Sequence, residues 1–215
     1  MTDPRIDAYE RCYTSIIHDV LRAMGEADFT LPPNIRPLDP SQVLCGPVWT
    51  VTGNTVTTDA HQTLLAWTGL LSRAKPDHIW VAQPNTKDIA QMGELSAETL
   101  HSKGVLGCVI DGALRDTEFL LRLGFRSWGT HFTPRDVVGV WLPDATEVSI
   151  KIGDVTIETG DWLHGDRDGM VRIPAHLVDT VLEKAQAAMI AENQVRSAIL
   201  QGVDPQEAYL RHGKF

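Results

Sequence analysis

A single mixed α/β domain is predicted by three features of this 215-residue chain. Segments of helical period alternate with apolar strand-like runs as far as Gly124, shorter strands and turns follow, and a long helical stretch closes the chain. The length agrees, because 215 residues fill one well-packed core and are short for two. The domain is therefore expected to span residues 1–215, with a C-terminal helical tail from about 174 to 215.

The first helix is expected over residues 5–24. Ile6, Tyr9, Tyr13, Ile16, Ile17, Val20, Leu21 and Met24 share one face there, and Gly25 suits a C-terminal cap. Four prolines make 30–40 irregular. A strand, PVWTVT, occupies 47–52; His61 to Arg73 reads as helix, and Lys75-Pro76-Asp77 breaks it before the strand HIWVAQ at 78–83. Residues 88–103 read as helix, or as loop leading into helix, stopped by Gly104. The apolar run VLGCVID forms a buried strand at 105–111. Beyond Gly124, the segments GVWLP, VSIKI, DVTIET, DWLHG and MVRIP read as short strands. Pro174 suits the first turn of a helix, and Leu177, Val181, Leu182, Ala185, Ala188, Met189 and Glu192 keep helical spacing after it. The tail 203–215 carries a further helix-start signal and is expected to pack on a neighbouring subunit or fray. There is no internal repeat and no low-complexity segment.

Composition narrows the function. A hydrophobic content of 43% and a charged content of 22% are those of an ordinary globular protein. The net charge of -9, with no basic run longer than two residues, argues against nucleic acid and anionic membrane as partners, which need clustered cations. Cys12, Cys45 and Cys108 are odd in number and far apart, so neither a disulfide framework nor a thiolate zinc site is expected. The N-terminal MTDPRIDAYERCY lacks the apolar core of a signal peptide, and no apolar run approaches the ~18 residues of a membrane span. A reduced, cytoplasmic protein is the expectation.

Chemistry concentrates in GCVIDGALRDTEFLLRLGF, residues 107–125. A buried strand ends at Asp111-Gly112, and Arg115 and Asp116 stand side by side just beyond, at the strand edge where α/β sheets bind ligands. Arg115 offers a permanently charged fork of donors for a carboxylate or an enolate oxygen. Asp116 is an oxygen ligand that a hard cation such as Mg²⁺ accepts. Upstream, MGELSAET at 92–99 can present free backbone N–H groups to an anion at a turn or helix start. Twenty residues separate Glu94 from Arg115, so a second carboxylate can face the same cation. Taken singly, each feature has a plainer reading. Arg115-Asp116 reads as a solvated helix start, Gly93 to Ser96 as another helix start, Ser96 with Glu98 or Thr99 as capping, and Asp111 as a turn former.

The combination resembles one family. M-G-E-L-S followed by G-V-L-G-C-V-I-D-G-A-L-R-D is similar to the family uniting RraA, a regulator of ribonuclease E activity, with 4-hydroxy-4-methyl-2-oxoglutarate aldolase. C-G-P-V-W-T-V at 45–51, A-K-P-D-H-I-W-V at 74–81 and G-D-W-L-H-G-D-R-D-G-M-V-R-I-P at 160–174 add to it, so the resemblance extends from about residue 14 to residue 190. It implies a swivelling β/β/α fold with an N-terminal helix and a long C-terminal helix. It also implies a class II pyruvate aldolase that splits 4-hydroxy-2-oxo acids, decarboxylates oxaloacetate and needs a divalent cation, Mg²⁺ or Mn²⁺. Homotrimers or homohexamers with sites between subunits are expected, with acidic residues from a neighbouring subunit; Glu183 and Glu192 are candidates, though helical surface charge explains both.

Carried over by position, the backbone of Gly93, Glu94, Leu95 and Ser96 would hold the substrate carboxylate, and Arg115 would contact the keto oxygen and carboxylate. Asp116 would bind the metal, and Glu94 would act through metal-bound water. The family often has Asp at the Glu94 position; the longer side chain keeps the charge and shifts its reach. The alternative from the same family is a non-catalytic protein that binds and inhibits ribonuclease E, but binding alone does not require the Glu94–Arg115–Asp116 set.

Other residues carry plainer expectations. A Schiff-base mechanism needs a lysine in an apolar pocket. Of the six, only Lys151, within VSIKI, lies in an apolar strand, and alternation points it outward. His164 to Gly169 looks like a metal loop but lacks the later ligands of an EF-hand and reads as a turn between strands. His131, His18 and Asp19 read as structural or surface residues, and Cys108 as a small apolar one.

Overall fold

The computed structural model describes residues 3–213. Two short helices come first, α1 (Pro4–Tyr9) and α2 (Thr14–Ala23), where one helix over 5–24 is expected. The break has local causes. The Cys12 amide turns back to the Tyr9 carbonyl at 2.8 Å, Tyr13 is extended, and the Thr14 amide donates to the Asp166 carboxylate at 2.9 Å. Both helices bury Ile6, Tyr9, Ile16, Ile17 and Leu21 in one cluster, so the apolar period survives the break and hides it from sequence.

The chain continues through β1 (Arg36–Pro37), β2 (Leu44–Thr55), α3 (Ala60–Ser72), β3 (Ile79–Gln83), β4 (Ala90–Met92) and α4 (Glu94–Ser102). Next come β5 (Gly107–Ile110), β6 (Ala113–Leu114), α5 (Thr117–Leu123), β7 (Ser127–Gly129) and β8 (His131–Phe132). The β-rich part holds β9 (Trp141–Thr146), β10 (Ile150–Ile152), β11 (Val155–Ile157), β12 (Trp162–Asp166) and β13 (Gly169–Ile173). A 3-10 turn at Ala175–Leu177 leads into α6 (Val178–Leu200), and α7 (Pro205–His212) follows. Lys214, one of the lysines weighed above, lies outside the described residues together with Met1, Thr2 and Phe215. No described helix is long and apolar enough to cross a membrane.

The main sheet runs β1-β7-β5-β3-β2-β12-β13, with β9 paired to the far end of β2. Its centre, β2-β3-β5-β7, is parallel. Both faces are covered, so residues alternate between two cores: Trp49, Trp80 and Cys108 point to one, Val48, Val81 and Val109 to the other. The first core joins Trp49, Trp67, Trp80 and Trp141 edge to face, with centroids 5.1 to 6.1 Å apart. β2 is twice the expected length because β12 extends it at its start and β9 at its end. Register shifts at Gly53, where any Cβ would lie 2.1 Å from the Trp141 ring.

Just beyond β3, β5 and β7 the chain re-forms a second parallel sheet, β4-β6-β8. The expected helix or loop over 88–103 is therefore part strand and part helix. This small sheet positions the residues singled out from the sequence, Gly93 to Ser96 after β4 and Arg115-Asp116 after β6.

Candidate functional site

Two chain segments meet at the edge of the small sheet. After β5, the turn at Asp111-Gly112 is held by Lys87, whose ammonium pairs with the Asp111 carboxylate and donates to its carbonyl at 2.7 Å. The chain then pairs β6 against β4, and the Arg115 amide donates to the Met92 carbonyl at 2.9 Å. That bond sets residues 115–116 beside 93–94 despite the twenty residues between.

Gly93 makes the approach possible. A Cβ there would sit 2.6 Å from Asp116 Oδ2 and 2.8 Å from Arg115 Cγ, closer than atoms pack. Asp116 has left-handed backbone (φ 51°), a conformation that costs a non-glycine residue free energy. It turns its carboxylate away from α5, which receives no side-chain cap, and toward α4, where Oδ2 accepts from the Glu94 amide at 3.1 Å. Asp116 thus stands at the start of α5, as the plainer reading expects, but its side chain does not cap that helix.

Arg115 pairs with two carboxylates. Its Nε is 3.3 Å from Asp116 Oδ2, and its Nη1 is 3.1 Å from Asp136 Oδ2. The side chains of Arg115 and Asp116 are each about one-third exposed, at 32% and 33%, so the pair is not locked inside the protein. Beside them opens a cavity of about 480 Å³, lined by Gly93, Glu94, Leu95 and Ser96 on one side and by α3 and residues 136–138 on others. Gly93 caps α4 without a side-chain bond, and among the described residues the N–H groups of Leu95 and Ser96 have no acceptor. They are available to an anion at the positive end of the helix. The Ser96 hydroxyl is otherwise engaged: its Oγ accepts from Trp67 Nε1 at 3.0 Å.

The donor set bears on a metal. Among the described residues no three His, Cys, Asp or Glu side chains group closely enough to enclose an ion. A thiolate or imidazole zinc site does not fit. Asp116, partly exposed, with Glu94 lining the same cavity, fits a hard cation that keeps most of its waters, as Mg²⁺ does.

All six residues expected from sequence thus line one cavity: Gly93, Glu94, Leu95, Ser96, Arg115 and Asp116. Three others were missed. Asp136 lies in a loop with no motif, Trp67 reads as core, and Gln91 precedes the recognised stretch by one residue. Lys151 points to solvent in β10, as alternation predicts. His131 is exposed and shares a hydrogen bond with Thr130. His164 is buried in the β12–β13 hairpin, between the Thr14 hydroxyl and the Tyr9 carbonyl, both at 3.1 Å, so the 164–169 stretch is a hairpin turn. Glu183 is exposed on α6, while Glu192 bonds to the Tyr13 hydroxyl. Burial pushes the Cys108 thiol up to about 12, which leaves it inert.

Comparison with known proteins follows the same residues. The family model described as "RraA-like: Aldolase/RraA" matches residues 14–172. A protein of Halalkalibacterium halodurans, provisionally named 4-hydroxy-4-methyl-2-oxoglutarate aldolase, is 27% identical over 92% of this chain and 89% of its own. An uncharacterized protein of Methanocaldococcus jannaschii is 32% identical over 54% of this chain, and the match spans only 56% of that protein's length. The Streptomyces coelicolor protein RraAS2, described as an unusual member of the RNase ES inhibitor RraA protein family, shares the fold. Its TM-score is 0.79 at 23% identity, covering 90% of this chain and 96% of that one.

Proposed function

The chain belongs to the RraA-like family, Aldolase/RraA, and from that premise we propose that it is a divalent-metal-dependent pyruvate aldolase. It cleaves 4-hydroxy-2-oxo acids of the 4-hydroxy-4-methyl-2-oxoglutarate type to pyruvate and a second oxo acid, and it decarboxylates oxaloacetate. The observation that carries this reading is the convergence of Arg115 and Asp116 on one open cavity beneath the unsatisfied amides of Leu95 and Ser96.

Both reactions pass through the enolate of pyruvate, so a protein that stabilises it accelerates both. The Leu95 and Ser96 amides bind the C1 carboxylate, while Arg115 places its guanidinium against the C2 oxygen, where negative charge develops. Asp116 would hold Mg²⁺ or Mn²⁺, with the Glu94 carboxylate lining the same cavity. When bound, the cation supplies Lewis-acid polarisation of the C2 carbonyl. The proton of the C4 hydroxyl passes to water ordered by Glu94.

A ribonuclease E-binding role is the competing reading, and RraAS2 gives it fold likeness alone. The carboxylate–guanidinium set beside an open cavity favours the enzyme.

The test is pyruvate release from oxaloacetate, coupled to lactate dehydrogenase, with Mg²⁺ or Mn²⁺ and then with EDTA. Turnover should vanish with chelator and in Asp116→Ala, and titration calorimetry should show Mn²⁺ binding lost in the same variant. Equal rates with and without metal would remove the metal reading, and a borohydride-stable adduct with pyruvate would replace it with a Schiff base.

A further inference from the structure

One guanidinium is shared by two carboxylates at different nitrogens. Arg115 Nε lies 3.3 Å from Asp116 Oδ2, and Arg115 Nη1 lies 3.1 Å from Asp136 Oδ2. Asp116 is the next residue in the chain, whereas Asp136 comes from the loop that follows β8 and lines the same cavity.

The Asp136 arm is fixed in place. Its other oxygen, Oδ1, accepts from the Val138 amide at 3.1 Å. The loop is tied on both sides: the Ala90 amide donates to the Arg135 carbonyl at 2.8 Å, and the Gly139 amide donates to the Thr63 hydroxyl at 3.0 Å. Between these ties Val137 is buried in the tryptophan core. Asp136 is therefore a stationary anion, while Arg115 has a long flexible side chain whose position is set by what its guanidinium pairs with.

Asp116 is the object of a competition. A divalent cation needs its oxygens, and the Arg115 guanidinium occupies the same oxygens and repels the cation as well. A second carboxylate that pulls on the far side of the guanidinium eases both effects.

We propose that Asp136 is a positioning residue: it draws Arg115 off Asp116, which leaves that carboxylate to the cation, and it keeps the guanidinium at the cavity for the oxo acid. Asp136 acts through Arg115. With Asp136 neutralised, Arg115 falls back on Asp116 and the cation binds less well. With Arg115 removed, only the remote charge of Asp136 remains, and its half-exposed position leaves that charge screened by solvent. This inference rests on the metal-dependent reading and gives it a residue that no motif marks.

The test is a double-mutant cycle read by titration calorimetry with Mn²⁺ alone, in the wild type, Asp136→Asn, Arg115→Gln and the two combined. Asn keeps the shape of Asp and the oxygen that accepts from Val138. Asp136→Asn should raise the Mn²⁺ Kd roughly three- to fivefold, the scale of a partly exposed ion pair. Arg115→Gln should lower the Kd, because the competing cation is gone. In that background Asp136→Asn should change the Kd by less than about twofold. A damaged loop or a direct pull of Asp136 on the cation would instead give equal effects in both backgrounds, and that result, or no effect in the wild type, overturns the inference. Mn²⁺ that binds the wild type but is indifferent to Asp136 removes this inference alone. A wild type that binds no Mn²⁺ removes the metal-dependent reading with it.

Discussion

Arg115 and Asp116 were legible as a site only together with Gly93 to Ser96, since the pair alone reads as a solvated helix start. What sequence could not show is how Asp116 turns. Its left-handed backbone and its bond from the Glu94 amide are tertiary facts, created by the pairing of β4 with β6. Gly93 is their precondition. Gly93→Ala should drive the Asp116 carboxylate off its position, lowering kcat/KM by ~10²-fold, since misplacement of about 1 Å is worth that much. Steady-state kinetics with oxaloacetate would measure it. Arg115→Lys keeps the charge but not the fork, and kcat should fall by roughly 10² to 10³, the usual loss for one preorganised donor. Asp136 was invisible because a lone acid in the loop TPRD carries no spacing signal. It holds Arg115 by one ion pair and adds negative charge near an anionic substrate. Asp136→Asn should therefore lower both KM and kcat, each by a modest factor of roughly two to five for a half-exposed pair.

At the scale of elements, strands and helices were found where apolar period and punctuation agree, as in α3, β3 and β5. The reading failed where one apolar face spans two elements. Residues 5–24 keep a helical period across the break at 10–13 because α1 and α2 share one core, and no local signal competes with that pattern. β4 was unreadable as a strand, since three residues form it only by pairing with β6. Two element-level outcomes follow from contacts. Gly53→Ala would force β9 away from β2 at the Trp141 ring, and urea unfolding should show a loss of about 1–3 kcal/mol, the usual cost of overpacking. His164 joins β12 to both first helices, and burial depresses its pKa below 6.5. Unfolded chains then bind more protons than folded ones below pH 6.5, so this contribution is complete above that pH and declines as pH falls through it. Melting temperatures from pH 7.5 to 5.5 should drop, with a shallower slope in His164→Gln.

Across the whole molecule, the α/β class and the long C-terminal helix were both evident from the succession of periods. The β-rich half joins the main sheet, because β12 and β9 both attach to β2. Assembly belongs to this scale. Leu65 and Leu95 are exposed at 65% and 76%, on the helices that flank the cavity. We expect trimers or hexamers in sedimentation velocity, and Leu65→Glu should shift the distribution toward smaller species.

The tryptophan cluster reaches the cavity at a single point. Trp67 touches Trp80 and Trp141 on one side, and on the other donates to Ser96, whose amide is open to an anion. Any ligand that settles there alters the surroundings of an indole already coupled to its neighbours, so the protein carries a built-in optical reporter. Occupancy could be titrated by emission at equilibrium, before a single bond is broken.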